Sequence, residues 1–317
     1  GTDMLTPGPN DIAIVAEGGA GLIYQEAAAL QMLMGYDGIA KNVKGIYGNS
    51  TGAILATGLA AGLYHGVGTQ LLIDALSSVK ENGQIYSPDV VAIMHHPWLH
   101  PISETQVFNG LAFCESGLDQ QPLWDLLKQH YGDLHTRDIW EKLGIEVLVR
   151  GFDPVGKRGR VLSGKLWRIA AASSAMEVFF KPHLGISDGG PSDNFPVDLA
   201  INAGFRRILM LYSGTDNPPV IDEPMELDDD TPQPPTIPAK AVAFSLIDTL
   251  TSRNEDIAEE RLMAFTKNGG QVVESYAAQG TDLGNIFDFS PEAQAIRTHA
   301  GYAAGTKALE DAKKLGW

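Results

Sequence analysis

Residues Asp11 to Ala16 (DIAIVA) are a short, nearly unbroken apolar run that ends at Glu17-Gly18-Gly19-Ala20-Gly21, which predicts a strand buried on both faces and closed by a tight turn. Tyr24 to Met34 (YQEAAALQMLM) then collects good helix formers and stops near Gly35, so a helix follows the turn. The same order recurs at once. Val43 to Tyr47 reads as a strand, Gly48-Asn49-Ser50-Thr51-Gly52 as a turn, and the alanine-rich stretch to about Leu63 as a second helix.

Further along, Leu118 to Tyr131 and Lys165 to Ala175 predict helices, and Ile145 to Phe152, Arg160 to Leu162 and Arg206 to Tyr212 predict strands. Ala239 to Phe265 reads as a long helix, with Val242, Leu246, Ile247 and Leu250 at helical spacing, and a last helix covers roughly Pro291 to Leu315. Strands alternating with helices at this spacing give an α/β fold with a mainly parallel central sheet and helices on both faces, a three-layer α/β/α arrangement. Residues 1 to 317 are expected to form a single domain with two irregular parts. One is an insertion or cap at about 87 to 114, with Pro88, Pro97, Pro101, three histidines and several aromatics; the other is an acidic, proline-rich loop at about 214 to 238. The part from 239 to 317 is helical, and no internal repeat is apparent.

Charge narrows the partners. The chain carries 39 acidic against 23 basic residues, a net charge of −16, so its average field repels nucleic acid and anionic surfaces. A nucleic-acid partner is not expected. A lipid remains open as substrate if it arrives singly, or if a local apolar rim makes a transient contact with a membrane or micelle. No apolar run approaches the roughly 18 residues that a membrane span needs. The lone cysteine, Cys114, allows no disulfide within the chain and no cysteine cluster for zinc. With no leader-like pattern in the first dozen residues, cytoplasmic residence is the expectation; secretion stays open because the sequence begins at Gly1 rather than methionine.

Gly48-Asn49-Ser50-Thr51-Gly52 fits G-x-S-x-G, in which a serine sits in a strained turn between strand and helix. The pattern is cheap in a chain with 35 glycines, but the apolar strand before it and the helix after it are the context this turn requires. Gly48 and Gly52 let the backbone cross without a Cβ clash. The helix start directs free amides and a positive dipole end toward the Ser50 oxygen. The Glu17 to Gly21 loop presents successive unobstructed amides, which suits an oxyanion or a phosphate; its spacing matches neither the dinucleotide nor the mononucleotide loop.

Ile186-Ser187-Asp188-Gly189-Gly190 places a carboxylate at a strand end beside two glycines, where it can reach a serine hydroxyl or simply form a turn. A Ser-His-Asp triad in the α/β-hydrolase order needs a histidine after the acid. His299 is the single candidate, and it lies in a helix-like stretch (AIRTHAGYAAG).

Taken together, these signals resemble the patatin-like phospholipase family over most of residues 11 to 213. Gly48-Asn49-Ser50-Thr51-Gly52 is similar to its nucleophile elbow, and Asp188-Gly189-Gly190 to its D-G-[GA] motif. Asp193-Asn194-Phe195-Pro196-Val197 and Ala172-Ser173-Ser174-Ala175 also follow the family pattern. The resemblance implies a Ser50–Asp188 dyad without histidine, an acyl-enzyme, and an oxyanion hole from the amides of Gly18, Gly19 and Ala20. It also implies a fatty acyl ester or phospholipid substrate, cleaved as a phospholipase A or lysophospholipase would, with no metal and no cofactor. The chain departs from the family's G-G-G-x-R-G: Glu17 stands at the first glycine, Gly21 at the arginine and Leu22 at the last glycine. Loss of the arginine removes a cation beside the loop, and the acid at Glu17 would disfavour anionic substrates. The altered loop leaves a second reading open, a catalytically weak lipid- or anion-binding protein on the same fold.

Other conspicuous residues have plainer readings. His95-His96-Pro97-Trp98-Leu99-His100 has no carboxylates at metal-ligand spacing and reads as a surface or lid segment whose aromatics could line an acyl pocket. The apolar positions of Ala241 to Leu250 fit either core or a substrate tunnel.

Overall fold

The computed structural model describes residues 5–81, 84–85, 121–153, 155–156, 158–174, 187–188, 196–215, 229–230, 256–284 and 288–317; the side chains of Ala20, Phe152, Ser187 and Asp188 fall outside that description. The segment at 87 to 114, most of the acidic loop, and residues 239–255 of the long predicted helix lie outside the described residues; 256–267 are helical, but Gln271–Ala277 form a strand, so the part from 239 to 317 is not helical throughout as expected.

Seven strands form one sheet: β1 (Ile12–Ala16), β2 (Val43–Asn49), β3 (Glu146–Asp153), β4 (Arg158–Leu162), β5 (Ser187–Asp188), β6 (Arg207–Thr215) and β7 (Gln271–Ala277). Their order is β4-β3-β2-β1-β6-β7, with the two-residue β5 beside β3. Neighbours from β3 through β7 run parallel, whereas β4 and β5 are antiparallel to β3. The early helices are α1 (Ile23–Met34), α2 (Asp37–Ala40), α3 (Thr51–Tyr64) and α4 (Gln70–Ser77).

The central strands are apolar throughout because both of their faces are covered. Along β1, Ile12, Ile14 and Ala16 face a core shared with α1 and α3, while Ala13 and Val15 face a second core containing Val197, Ala200, Leu262 and Phe265. β6 alternates in the same way, Leu209 and Leu211 toward the first core and Ile208, Met210 and Tyr212 toward the second. This is the three-layer α/β/α arrangement that the alternating pattern predicts. Full burial of Leu30 and Leu33 on α1 is worth about 1.5–3 kcal/mol each before entropy is counted.

The C-terminal helix Pro291–Lys314 is capped by Ser290, whose side chain accepts from the Ala293 amide. It lies flush on α1 because Gly301 has no side chain: a Cβ there would sit 2.2 Å from the Gln25 carbonyl oxygen. That close approach carries Arg297, on the same helix, to the end of the glycine loop.

Candidate active site

Ser50 stands between β2 and α3 with φ 57° and ψ −127°, the single non-glycine residue of positive φ among the described residues. A side chain in such a conformation costs about 1–3 kcal/mol and persists only where its surroundings hold it. Here they do. The Ser50 amide donates to Ser173 Oγ at 2.8 Å, and its carbonyl accepts from the Ala53 amide at 2.9 Å as α3 begins. Ser173 Oγ in turn donates to the Arg150 carbonyl at 2.7 Å, tying the elbow to β3.

Gly48 and Gly52 are demanded by close packing rather than by their dihedrals. A Cβ on Gly48 would lie 2.2 Å from the Gly52 carbonyl oxygen, and one on Gly52 would lie 2.3 Å from the Ala16 carbonyl oxygen. The elbow is thereby pressed against the end of β1, where the glycine loop starts.

That loop is clamped from two sides. Ser213 on β6 donates its amide to Glu17 Oε2 at 2.9 Å and its hydroxyl to the Gly18 carbonyl at 3.0 Å. On the other side, the Gly19 amide donates to Thr51 Oγ1 at 3.0 Å. Gly19 must be glycine, because a Cβ there would meet Ser213 Cβ and Oγ at 2.5 Å. The loop then closes into a 3-10 turn, Ala20–Leu22, through Leu22 N–H to the Gly19 carbonyl at 2.9 Å. Two sequence expectations are revised by this geometry. Glu17 is buried with its carboxylate turned to a backbone amide, so it anchors the loop instead of facing a substrate. The cation lost at Gly21 has a counterpart: Arg297 Nη1 donates to the Gly21 carbonyl at 3.2 Å.

Asp188 enters from the other direction. On β2's side of β3, the last β2 pair is Asn49 with Arg150, and the next β3 residue, Gly151, pairs with Asp188. The β5 backbone thus occupies the lane that β2 vacates when the chain turns at Ser50. Asn49 and Asp188 therefore pair with consecutive residues of β3, so the backbone that turns at Ser50 and the β5 backbone at Asp188 meet in one lane. Downstream of Asp188 the chain is anchored by an ion pair between Arg150 Nη2 and Asp198 Oδ2 at 2.5 Å.

His299 is exposed on the C-terminal helix. His95, His96 and His100 lie outside the described residues, as do Ala241 to Leu250. Among the described residues no three His, Cys, Asp or Glu side chains converge as a metal site would need, and no helix is long and apolar enough to cross a membrane. A surface groove of about 470 Å³ lined by His65, His130, Tyr131 and Asp138 sits at the far end of α3, about 20 Å from Ser50 at 1.5 Å rise per residue. It is separate from the elbow. Burial lowers the His130 pKa from its ordinary value.

Ser173, Thr51, Ser213, Arg150 with Asp198, and Arg297 are the supporting residues that sequence reasoning did not single out for these contacts. Ser173 and Thr51 lie within the Ala172-Ser173-Ser174-Ala175 and Gly48-Asn49-Ser50-Thr51-Gly52 motifs, whereas no short motif marks Ser213, Arg150 or Asp198.

The family model described as patatin-like phospholipase matches residues 14–201, more than half of the chain. No curated protein sequence matches. Among solved structures the chain is similar to VipD from Legionella pneumophila, at 14% identity and TM-score 0.49, over 96% of this chain and 67% of that one. It is similar to the type III effector protein ExoU at 13% identity and TM-score 0.40, over 96% of this chain and 54% of that one. A human GIVD cytosolic phospholipase A2, solved in complex with methyl gamma-linolenyl fluorophosphonate, matches at 16% identity and TM-score 0.29, over 49% of this chain and 23% of that one. The chain thus spans about two thirds of the length of VipD and about half that of ExoU. By its family match the chain belongs to the patatin-like phospholipase family, and lipid hydrolysis is its general chemistry.

Proposed function

We propose that this patatin-like phospholipase cleaves fatty acyl esters of the phospholipid or lysophospholipid class through a Ser50–Asp188 dyad. The observation that carries the reading is the strained Ser50 at the end of β2 with the Asp188 backbone at the next position of the same lane. Asp188 accepts the Ser50 proton as Oγ attacks the acyl carbonyl, and returns it to the departing alcohol. The tetrahedral oxyanion is held by the amides of Gly18, Gly19 and Ala20 and by the positive end of α3. Because the Gly19 amide is engaged by Thr51 Oγ1, the cradle opens by a turn of the Thr51 side chain. Water, deprotonated by Asp188, then attacks the acyl-enzyme, the bond to Ser50 Oγ breaks with return of the proton to that oxygen, and the fatty acid is released. Every step uses this chain's own groups and needs no added cofactor.

The test is hydrolysis of p-nitrophenyl esters of increasing chain length by the unaltered chain, Ser50→Ala and Asp188→Asn. Loss of activity by about a thousandfold or more in both variants, with preference for longer chains, is the expected result. Turnover that survives Ser50→Ala would end the dyad reading. The same Gly19 to Thr51 contact favours the second reading, a lipid-binding protein of weak activity, which predicts bound fatty acid without turnover.

A further inference from the structure

The β3–β4 hairpin is out of character with the rest of this chain. In a molecule of net charge −16, residues 154 to 161 read PVGKRGRV, three cations and two valines with no acid. Val155, at the turn, is 90% exposed, and Val161 is 46% exposed. Arg158 and Arg160 are exposed on β4, and among the described residues neither guanidinium has an ion-pair partner.

The turn is fixed, since Asp153 Oδ1 accepts from the amides of Val155 at 3.1 Å and Gly156 at 3.0 Å. Its position is informative. β3 runs parallel to β2 and continues past the Asn49 and Arg150 pair, so the hairpin projects from the end of the sheet that carries Ser50. From Arg150 to the end of β3 at Asp153 is roughly 10 Å along the strand direction at about 3.3 Å per residue.

Charged side chains on an edge strand ordinarily protect against strand pairing, which would explain the arginines alone. Protection does not call for a valine held out to solvent at the tip. A basic strand ending in an exposed aliphatic side chain fits a surface that is negatively charged at its boundary and apolar beneath.

We propose that the β3–β4 hairpin seats this chain on an anionic phospholipid bilayer. Val155 enters the headgroup boundary and Arg158 and Arg160 meet lipid phosphates, which turns the Ser50 end of the sheet toward the membrane. The proposal rests on the lipid-hydrolase reading for its purpose, but its test does not. A local basic rim also resolves how a chain of this net charge works on a phospholipid surface: the acidic bulk lies away from the membrane while the hairpin makes the contact.

The experiment is co-sedimentation of the full chain, carrying Ser50→Ala so that vesicles stay intact, with neutral phosphatidylcholine vesicles and with vesicles containing phosphatidylserine. Three proteins are compared: the hairpin as it stands, Arg158→Gln with Arg160→Gln, and Val155→Asp. Each arginine near an anionic surface contributes about a fivefold gain in binding, so the double variant should bind phosphatidylserine vesicles about 25-fold more weakly. Binding should also fall steeply with added salt. All three substitutions are at exposed positions, and melting temperatures within about 2 °C of the parent are expected.

In parallel, the same hairpin substitutions with Ser50 intact are assayed on a short soluble ester, whose turnover should be unaffected. Vesicle binding that is equal in all three proteins, or absent from the parent, overturns the docking proposal. A parent that docks through the hairpin yet hydrolyses no ester leaves docking in place and removes the hydrolase reading instead.

Discussion

Arg297, on the C-terminal helix, donates from Nη1 to the carbonyl of Gly21, 276 residues away, at 3.2 Å. The same guanidinium donates from Nε to the Leu283 carbonyl at 3.0 Å and from Nη1 to the Asp288 carbonyl. It is fully buried, so the planar fork satisfies several carbonyls that would otherwise be left unpaired. The family pattern places an arginine where this chain has Gly21, and here a cation reaches that backbone from the far end of the sequence.

Arg297→Met should therefore lose about 3 kcal/mol or more of stability, because charge-assisted bonds are worth about 1.5–3 kcal/mol each and the carbonyls stay buried. Arg297→Lys keeps the charge but not the fork, and should recover only part. Urea unfolding of both variants measures this. Equal stability of Arg297→Met and the parent would remove Arg297 as the anchor of the loop.

Ser173 holds the strained serine. Its Oγ accepts from the Ser50 amide at 2.8 Å and donates to the Arg150 carbonyl at 2.7 Å. Ser173→Ala leaves that amide unpaired, at a cost of about 1–3 kcal/mol. Ser50 Oγ should then wander from its attack position, so kcat is expected to fall about ten- to a hundredfold with KM little changed. Ser173→Thr, which restores the hydroxyl, should recover much of the rate. The labelling rate of Ser50 by a fluorophosphonate reports the same effect without a substrate.

The legible parts of this chain are those whose pattern is local. DIAIVA announces β1 because a strand covered on both faces must be apolar at every position, and the turn at Ser50 declares itself by the strand before it and the helix after it. β7 (QVVESYA) was not readable in this way. Glu274 and Ser275 interrupt its apolar run, and their presence makes sense only in the fold, where Glu274 accepts from the Tyr276 hydroxyl at 2.5 Å and Ser275 is buried. The supporting contacts of the site are illegible for the same reason. Ser173 lies 123 residues from Ser50, Ser213 lies 196 from Glu17, and no short pattern encodes such pairs. Glu17 is the instructive case: an acid in a glycine loop looks like a group for the substrate until β6 supplies the amide it binds.

Thr51 controls an amide that the chemistry needs. Its Oγ1 accepts the Gly19 N–H at 3.0 Å, the same N–H expected to hold the oxyanion. Thr51→Val keeps the shape and removes the acceptor, so the amide becomes free at the start of each turnover. A severalfold rise in the acylation rate is expected, within the range that one oxyanion donor can supply. Thr51→Ser should behave as the parent. Pre-steady-state release of p-nitrophenol measures acylation directly. A fall in rate on Thr51→Val would mean that Thr51 holds the loop in shape rather than closing it.

Glu26 lies in the first turn of α1 and is completely buried, with neither carboxyl oxygen in a hydrogen bond of ordinary geometry. Burial raises its pKa well above the usual carboxylate value, and the nearby Glu17 backbone offsets this only in part. The helix N-terminus also favours the ionised form, but by about 0.3–1 kcal/mol, which is too little to reverse full burial. The folded protein therefore keeps the Glu26 proton at pH values where the unfolded chain, with a pKa of about 4.3, releases it. With more protons bound in the folded state, stability must fall as pH rises. The Glu26 contribution is fully present below about pH 4.3 and declines from there up to the raised folded value. Glu26→Gln has nearly the same shape and no proton to lose, so it should be more stable than the parent at neutral pH, with the difference shrinking to nothing near pH 4. Unfolding free energies of the two proteins across pH 4 to 8 make the comparison, and parallel curves over that range would show that Glu26 ionises in the folded state as readily as in the unfolded one.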